Sequence, residues 1–160
     1  NYRRPFRFRR AQLRDCFRRT AMPDLPEVLY WDSSAVISAL FRDANTKRAK
    51  TAAEREVLHL LTTLAYAEVA AVLSRMRREN MLTEILFQSA HEVLDRGPWR
   101  RISVSPGWAI IGDLAKKHSL RGADLWHLAA AVSLTDEFPE LSLLTFDQQL
   151  LTAAKIERLC

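Results

Sequence analysis

The 160-residue sequence predicts an α/β fold: a three-layer α/β/α sandwich around a central parallel sheet of four to five strands. Two observations carry this. Short apolar runs rich in strand formers alternate with longer amphipathic stretches, the pattern of strands joined by crossover helices. The chain is also 48% hydrophobic, enough to bury a core in one domain of this length without disulfides or a structural metal. No internal repeat interrupts the alternation.

Val28-Leu29-Tyr30-Trp31 is the first buried strand. Ser33 or Ser34 is placed to cap a helix running to about Phe41. Residues 44–55 are polar and alanine-rich and read as a second helix, and Val57–Leu61 as the second strand. Thr62 or Thr63 then caps a long helix from Leu64 to about Arg78. The stretch 81–94 places Met81, Leu82, Ile85, Leu86, Val93 and Leu94 on related faces of another helix, which Gly97-Pro98 breaks. Arg101–Ser105 is the third strand, and Pro106-Gly107 starts a helix to about His118. Gly122 precedes a helix from Ala123 to about Leu134. Leu141–Phe146 is the fourth strand and Gln148–Ala154 a closing helix.

The net charge of +5 invites a nucleic-acid reading, but its distribution matters more than its size. Residues 1–20 hold eight arginines and one acid, leaving 16 basic and 18 acidic side chains for the other 140. Residues 1–21 lack apolar periodicity and read as a disordered basic arm, with Met22 the expected natural start and 22–160 the folded domain. The two cysteines, Cys16 and Cys160, sit near opposite ends with no partner at metal-ligand spacing, which favours a reducing, cytoplasmic setting. No apolar run is long enough to cross a membrane as a helix, and no apolar region follows the basic start as a secretory signal requires.

Four carboxylates occupy unusual places. Asp32 directly follows the first strand, at the carboxyl end where open α/β sheets bind ligands; its alternative role is a helix cap. Glu68 is the only formally charged residue between Val57 and Ser74, and a carboxylate in so apolar a helix needs a cation or several donors unless it faces solvent. Asp124 stands at a helix start, where the dipole favours a negative charge. Asp147 repeats the strand–Asp–helix arrangement of Asp32, again with capping as the alternative. Oxygen-rich clusters of this kind suit Mg²⁺ or Mn²⁺ rather than zinc.

Four pieces, Tyr30-Trp31-Asp32-Ser33-Ser34-Ala35, Ala67-Glu68-Val69, Ala123-Asp124-Leu125-Trp126-His127-Leu128-Ala129-Ala130-Ala131 and Leu144-Thr145-Phe146-Asp147, occur in this order over roughly residues 28–154. In these pieces the chain resembles the PIN-domain nucleases and, within them, the VapC-type toxins of bacterial VapBC toxin–antitoxin pairs. The resemblance implies Mg²⁺- or Mn²⁺-dependent endonucleolytic cleavage of RNA. It assigns the metal chiefly to Asp32 and Asp124, with Glu68 and Asp147 completing the cluster directly or through water. It also implies a homodimer and a cognate antitoxin that blocks the site. Three features depart from the family pattern: the basic arm, Trp126, and a C-terminal segment, 155–160, that is short for a last edge strand.

The chemistry needs an activated water and a phosphate whose charge is neutralised, both within the reach of a divalent ion. Ser33 and Thr145 are placed to orient the ion's ligands by hydrogen bonds. Arg121, Lys116 and Lys117 stand near the site mouth as phosphate contacts or as plain surface charge. His127, three residues after Asp124, reads as a packing or orienting group rather than a base. Trp99 and Trp108 read as core or dimer residues before base-stacking ones. Ser34 stands where a haloacid-dehalogenase-like phosphatase would need its second aspartate, and no Ser-His-Asp constellation appears. A housekeeping RNA-processing nuclease and a catalytically idle PIN-like binding module remain the alternatives.

Overall fold

The computed structural model describes residues 27–160. The expected basic arm over 1–21, Cys16 and the Met22 start lie outside them. Four parallel strands form one sheet: β1 (Val28–Trp31), β2 (Leu58–Thr62), β3 (Arg100–Ile102) and β4 (Leu141–Leu144). Their order is β3-β2-β1-β4, with Val28 opposite both Leu58 and Leu141. Seven helices are described: α1 (Ser33–Leu40), α2 (Thr46–Ala53), α3 (Thr63–Arg78), α4 (Glu84–Arg96), α5 (Trp108–Lys117), α6 (Gly122–Leu134) and α7 (Gln148–Ile156). None is long and apolar enough to cross a membrane.

The strand period of two sorts the core into two halves. Val28 and Tyr30 of β1 face a cluster with Leu114 of α5, Leu128 of α6 and Leu150 of α7. Leu29 and Trp31 face the opposite cluster, with Val36 of α1, Leu73 of α3 and Leu94 of α4. The central sheet is thus covered on both faces, as the alternating pattern predicts. Because β1 lies between β2 and β4, its carboxyl end is the middle of the sheet's rim, and Asp32 stands there.

Several boundaries differ from expectation, each for a local reason. The cap of α1 is Asp32 itself, whose carboxylate accepts from Ser34 N–H, so neither serine is the cap. β3 is three residues long instead of five, pairing only with β2 at the sheet edge, and Ser103–Ser105 have no strand to pair with. The helix expected from residue 81 begins at Glu84. Asn80 at φ 56° ends α3, where Asn80 N–H donates to Arg77 C=O and Met81 N–H to Met76 C=O, a Schellman turn. Thr83 then caps α4.

The same device ends α7. Arg158 has φ 61°, its N–H donates to Lys155 C=O, and Leu159 N–H donates to Ala154 C=O. The turn aims Leu159 back at the sheet, where its side chain is buried and its C=O accepts from Leu143 N–H at 2.7 Å. Among the described residues there is no fifth strand; this single backbone bond is what the short terminal segment provides.

Candidate active site

Asp32 is 3% exposed and encircled by donors. Its Oδ2 accepts from Ser34 Oγ at 2.6 Å, from Thr145 Oγ1 at 2.8 Å and from Ser34 N–H at 3.3 Å, while Oδ1 accepts from Ser33 Oγ at 3.2 Å. Ser34 Oγ in turn accepts from Phe146 N–H, and Asp32 N–H donates to Leu144 C=O. These bonds tie the rim of β1 to the end of β4 and fix the carboxylate's plane. They leave Oδ1 the less encumbered oxygen.

Oδ1 looks towards His127 and Glu68. His127 on α6 is wholly buried, with Nε2 2.8 Å from Glu68 Oε2 and 3.7 Å from Asp32 Oδ1. Its Nδ1 lies 2.9 Å from Tyr30 OH, which also points at Thr62 Oγ1 at 3.4 Å. Burial, and to a smaller degree the charges of Asp32 and Glu68, raise the Tyr30 pKa far above its usual value, so the phenol keeps its proton. Two arrangements satisfy the ring. A neutral imidazole accepts from Tyr30 at Nδ1, whereas an imidazolium donates to it; in both, Nε2–H donates to Glu68. A lone carboxylate is tolerated on α3 because its side chain is only partly buried, at 30% exposed, and a buried histidine, itself held by Tyr30, meets it.

The nearest oxygens of Asp32 and Glu68 and the His127 nitrogen all lie within 4.8 Å of one another. With Nε2 engaged as a donor, the two carboxylates are the members of this group free to meet a cation, and hard oxygen donors of this kind fit Mg²⁺ or Mn²⁺. Asp124 and Asp147 stand outside this tight group but share its field. The Asp124 carboxyl is raised in pKa by partial burial first, then by the charges of Asp147, Asp32 and Glu68, with His127 opposing. It accepts no hydrogen bond from the described residues. Asp147 Oδ1 caps α7, accepting from Gln149 N–H at 2.8 Å and Leu150 N–H at 2.9 Å, which leaves Oδ2 without a partner among the described residues. All four sequence candidates therefore gather at one rim, with Asp32 and Glu68 in contact range and the other two coupled through charge.

The flanking candidates separate. Lys116 pairs with Asp113, and Lys117 with Glu157, which His118 also contacts; Arg121 is exposed and unpaired among the described residues. Trp99 is in the core, edge-on to Trp31 at 5.6 Å between ring centroids, whereas Trp108 is 92% exposed.

Comparison with known proteins bears on this arrangement. The PIN domain family matches residues 29–156. The chain belongs to the PIN-domain family. Two curated relatives, Ribonuclease VapC45 and Ribonuclease VapC49 of two Mycobacterium tuberculosis strains, are each 31% identical over 131 residues, covering 79% of this chain and 89% of theirs. The fold is also that of two solved structures. VapBC2 from Rickettsia felis, bound to a DNA fragment from its promoter, aligns with TM-score 0.55 at 14% identity, covering 82% of this chain and 92% of that one. FitAcB from Neisseria gonorrhoeae aligns with TM-score 0.56 at 18% identity, covering 79% and 93%.

In this PIN-domain protein, sequence reasoning missed Ser34 and Tyr30. Ser34 carried a signal, since a serine two residues after an aspartate can close a turn onto its carboxylate. Tyr30 carried none: a tyrosine in an apolar strand reads as core until its hydroxyl partner, 97 residues away, is known.

Proposed function

We propose that this chain is the ribonuclease of a toxin–antitoxin pair, hydrolysing RNA phosphodiester bonds with Mg²⁺ or Mn²⁺ at Asp32, Glu68, Asp124 and Asp147. The observation that carries the reading is the meeting of Asp32 and Glu68 within a few ångströms, inside the field of two further carboxylates. Uncompensated, such a cluster is self-repelling, and a divalent ion is its natural complement. The VapC ribonucleases named above supply the substrate class.

Asp32 and Glu68, with Asp124 directly or through water, would hold the ion. When bound, it supplies Lewis acidity towards the phosphate and a water of lowered pKa. Ser34 and Thr145 keep Asp32 in one rotamer, and His127 does the same for Glu68, so the oxygens need little rearrangement to receive it. The proposal includes an antitoxin partner and a homodimer. Ile85 and Leu86 of α4 are 78% and 54% exposed, apolar surface available to a second copy.

The test is cleavage of a mixed RNA pool by purified protein with Mg²⁺, Mn²⁺ or EDTA. Asp32→Asn and Asp124→Asn should each slow cleavage at least about 10²-fold through misplaced ligands. Undiminished cleavage in EDTA removes the metal from the mechanism.

A further inference from the structure

Resting on the ribonuclease reading, we propose that one face of α2 is a backbone-binding site for the single-stranded RNA whose scissile bond lies at the acidic rim. Lys47, Arg48, Thr51, Ala52 and Arg55 line a shallow trough of ≈ 340 Å³ with an aliphatic wall. Their spacing places them on one side of the helix and its end. Lys47, Arg48 and Lys50 have no acidic partner among the described residues, and Arg55 pairs with Glu27.

This face adjoins the site. The Arg48 guanidinium lies over the Phe146 ring, 5.2 Å from its centroid. Phe146 stands between Thr145, which holds Asp32, and Asp147, and its N–H is anchored to Ser34. Arg48 thus stands beside the Thr145–Asp147 segment, and the face runs from it along α2 to Ala53 over roughly 8 Å at 1.5 Å per residue. That length accommodates more than one phosphate of an extended strand.

The chemistry favours a polyanion. Four carboxylates repel RNA, so a substrate phosphate needs compensating charge close by. On the α5–α6 side Asp113 takes Lys116 and Glu157 takes Lys117, which leaves Arg121 alone unpaired of its three cations among the described residues. On α2 such charge is available, and Thr51 adds a hydroxyl. The aliphatic wall suits the face of a ribose or base between two phosphates. An acidic protein segment is the rival occupant, but the hydroxyl and the approach to the carboxylate rim suit the strand being cut.

The test is anisotropy of a fluorescent single-stranded RNA dodecamer, in EDTA so that cleavage does not intervene, across a range of salt. Lys47→Gln/Arg48→Gln should weaken binding about tenfold at low salt and reduce the slope of log affinity against log salt by about 1.4, two contacts at about 0.7 each. With metal present, the same variant should raise KM and leave kcat within about twofold. Arg48→Lys, which keeps the charge, should stay within about threefold of wild type and separates lost charge from lost packing on Phe146. Arg75→Gln/Arg78→Gln, at the far end of α3, controls for net charge. An unchanged slope overturns the site, as does an equal loss in the control. Loss of binding to an acidic peptide with RNA affinity intact also overturns it and assigns the face to a protein partner. A wild type that fails to cleave, while its RNA binding still depends on Lys47 and Arg48, sinks the ribonuclease reading and leaves the site standing.

Discussion

At the scale of single residues, the site works by giving each carboxylate a different neighbour. Asp147 caps α7 and is proposed to serve the acidic site as well, and two substitutions separate the roles. Asp147→Asn keeps an oxygen for the Gln149 and Leu150 N–H groups. It should therefore melt at or above the wild-type temperature in the absence of metal while losing activity. Asp147→Ala also loses the cap and should be about 1 kcal/mol less stable. If Asn and Ala destabilise equally, the charge rather than the cap is structural. Asp124 has the opposite character, with no bond to lose. Its folded-state pKa is raised, so its ionisation costs stability as pH climbs from the ordinary carboxylate range through the raised value, and the cost persists above. Asp124→Asn should accordingly match wild type near pH 3 and exceed it at pH 7.5 in EDTA, with the advantage shrinking as Mg²⁺ is added; thermal melts at the two pH values decide. His127→Ala would strip Glu68 and Tyr30 of their buried partner and should cost about 1–3 kcal/mol. The four acids were legible because strand-end, helix-start and apolar-helix positions are readable from sequence. The bonds that orient them were not, since they join residues up to 113 positions apart.

At the scale of elements, caps and close approaches decide where structure starts and stops. The sequence pattern located each described strand and helix: most carry an apolar stripe of the right period, while α2 is legible as a polar, alanine-rich run of helix formers. It misplaced the start of α4 and the extent of β3, because an Asn in the left-handed region and an edge strand's want of a second partner leave no mark on periodicity. Gly97 shows what such local geometry demands. A Cβ there would lie 2.2 Å from Trp99 Cζ3 and 2.7 Å from Val93 C=O. Trp99 packs on Trp31, the residue before Asp32, so Gly97→Ala should cost about 1–3 kcal/mol by overpacking, measured by denaturant titration. The end of α7 makes a pH-dependent clasp. Burial pushes the Glu157 pKa up, but hydrogen bonds from Lys117 and His118 outweigh it and leave the carboxyl below its usual value. A carboxylate of this kind contributes stability above its unfolded pKa and loses it as pH falls through the lowered one. Glu157→Gln should be the less stable protein at pH 7, with the gap closing below about pH 4. A gap that stays constant with pH would mean that shape, not charge, holds α5 to α7.

At the scale of the whole molecule, the central place of β1 governs assembly. Among the described residues the first strand pairs with the last, so the sheet is not completed from sequence neighbours alone. Association should depend on α4: Ile85→Glu is expected to leave the fold and metal-dependent cleavage intact while converting a dimer to a monomer in sedimentation at tens of micromolar. A wild type that is already monomeric there removes α4 from that role. Synthesis order gives the long pairing another meaning. Asp32 leaves the ribosome before β4, but the hydroxyl that fixes it belongs to Thr145, and Asp147 comes later still. At about 5–20 residues per second, roughly 6–23 s separate Asp32 from Asp147. During that interval the growing chain is tethered to a particle rich in RNA, with β4 absent and the acidic rim unfinished. On the proposed ribonuclease reading, a nascent chain that stops short of β4 lacks Thr145 and Asp147 and should not cleave the RNA around it.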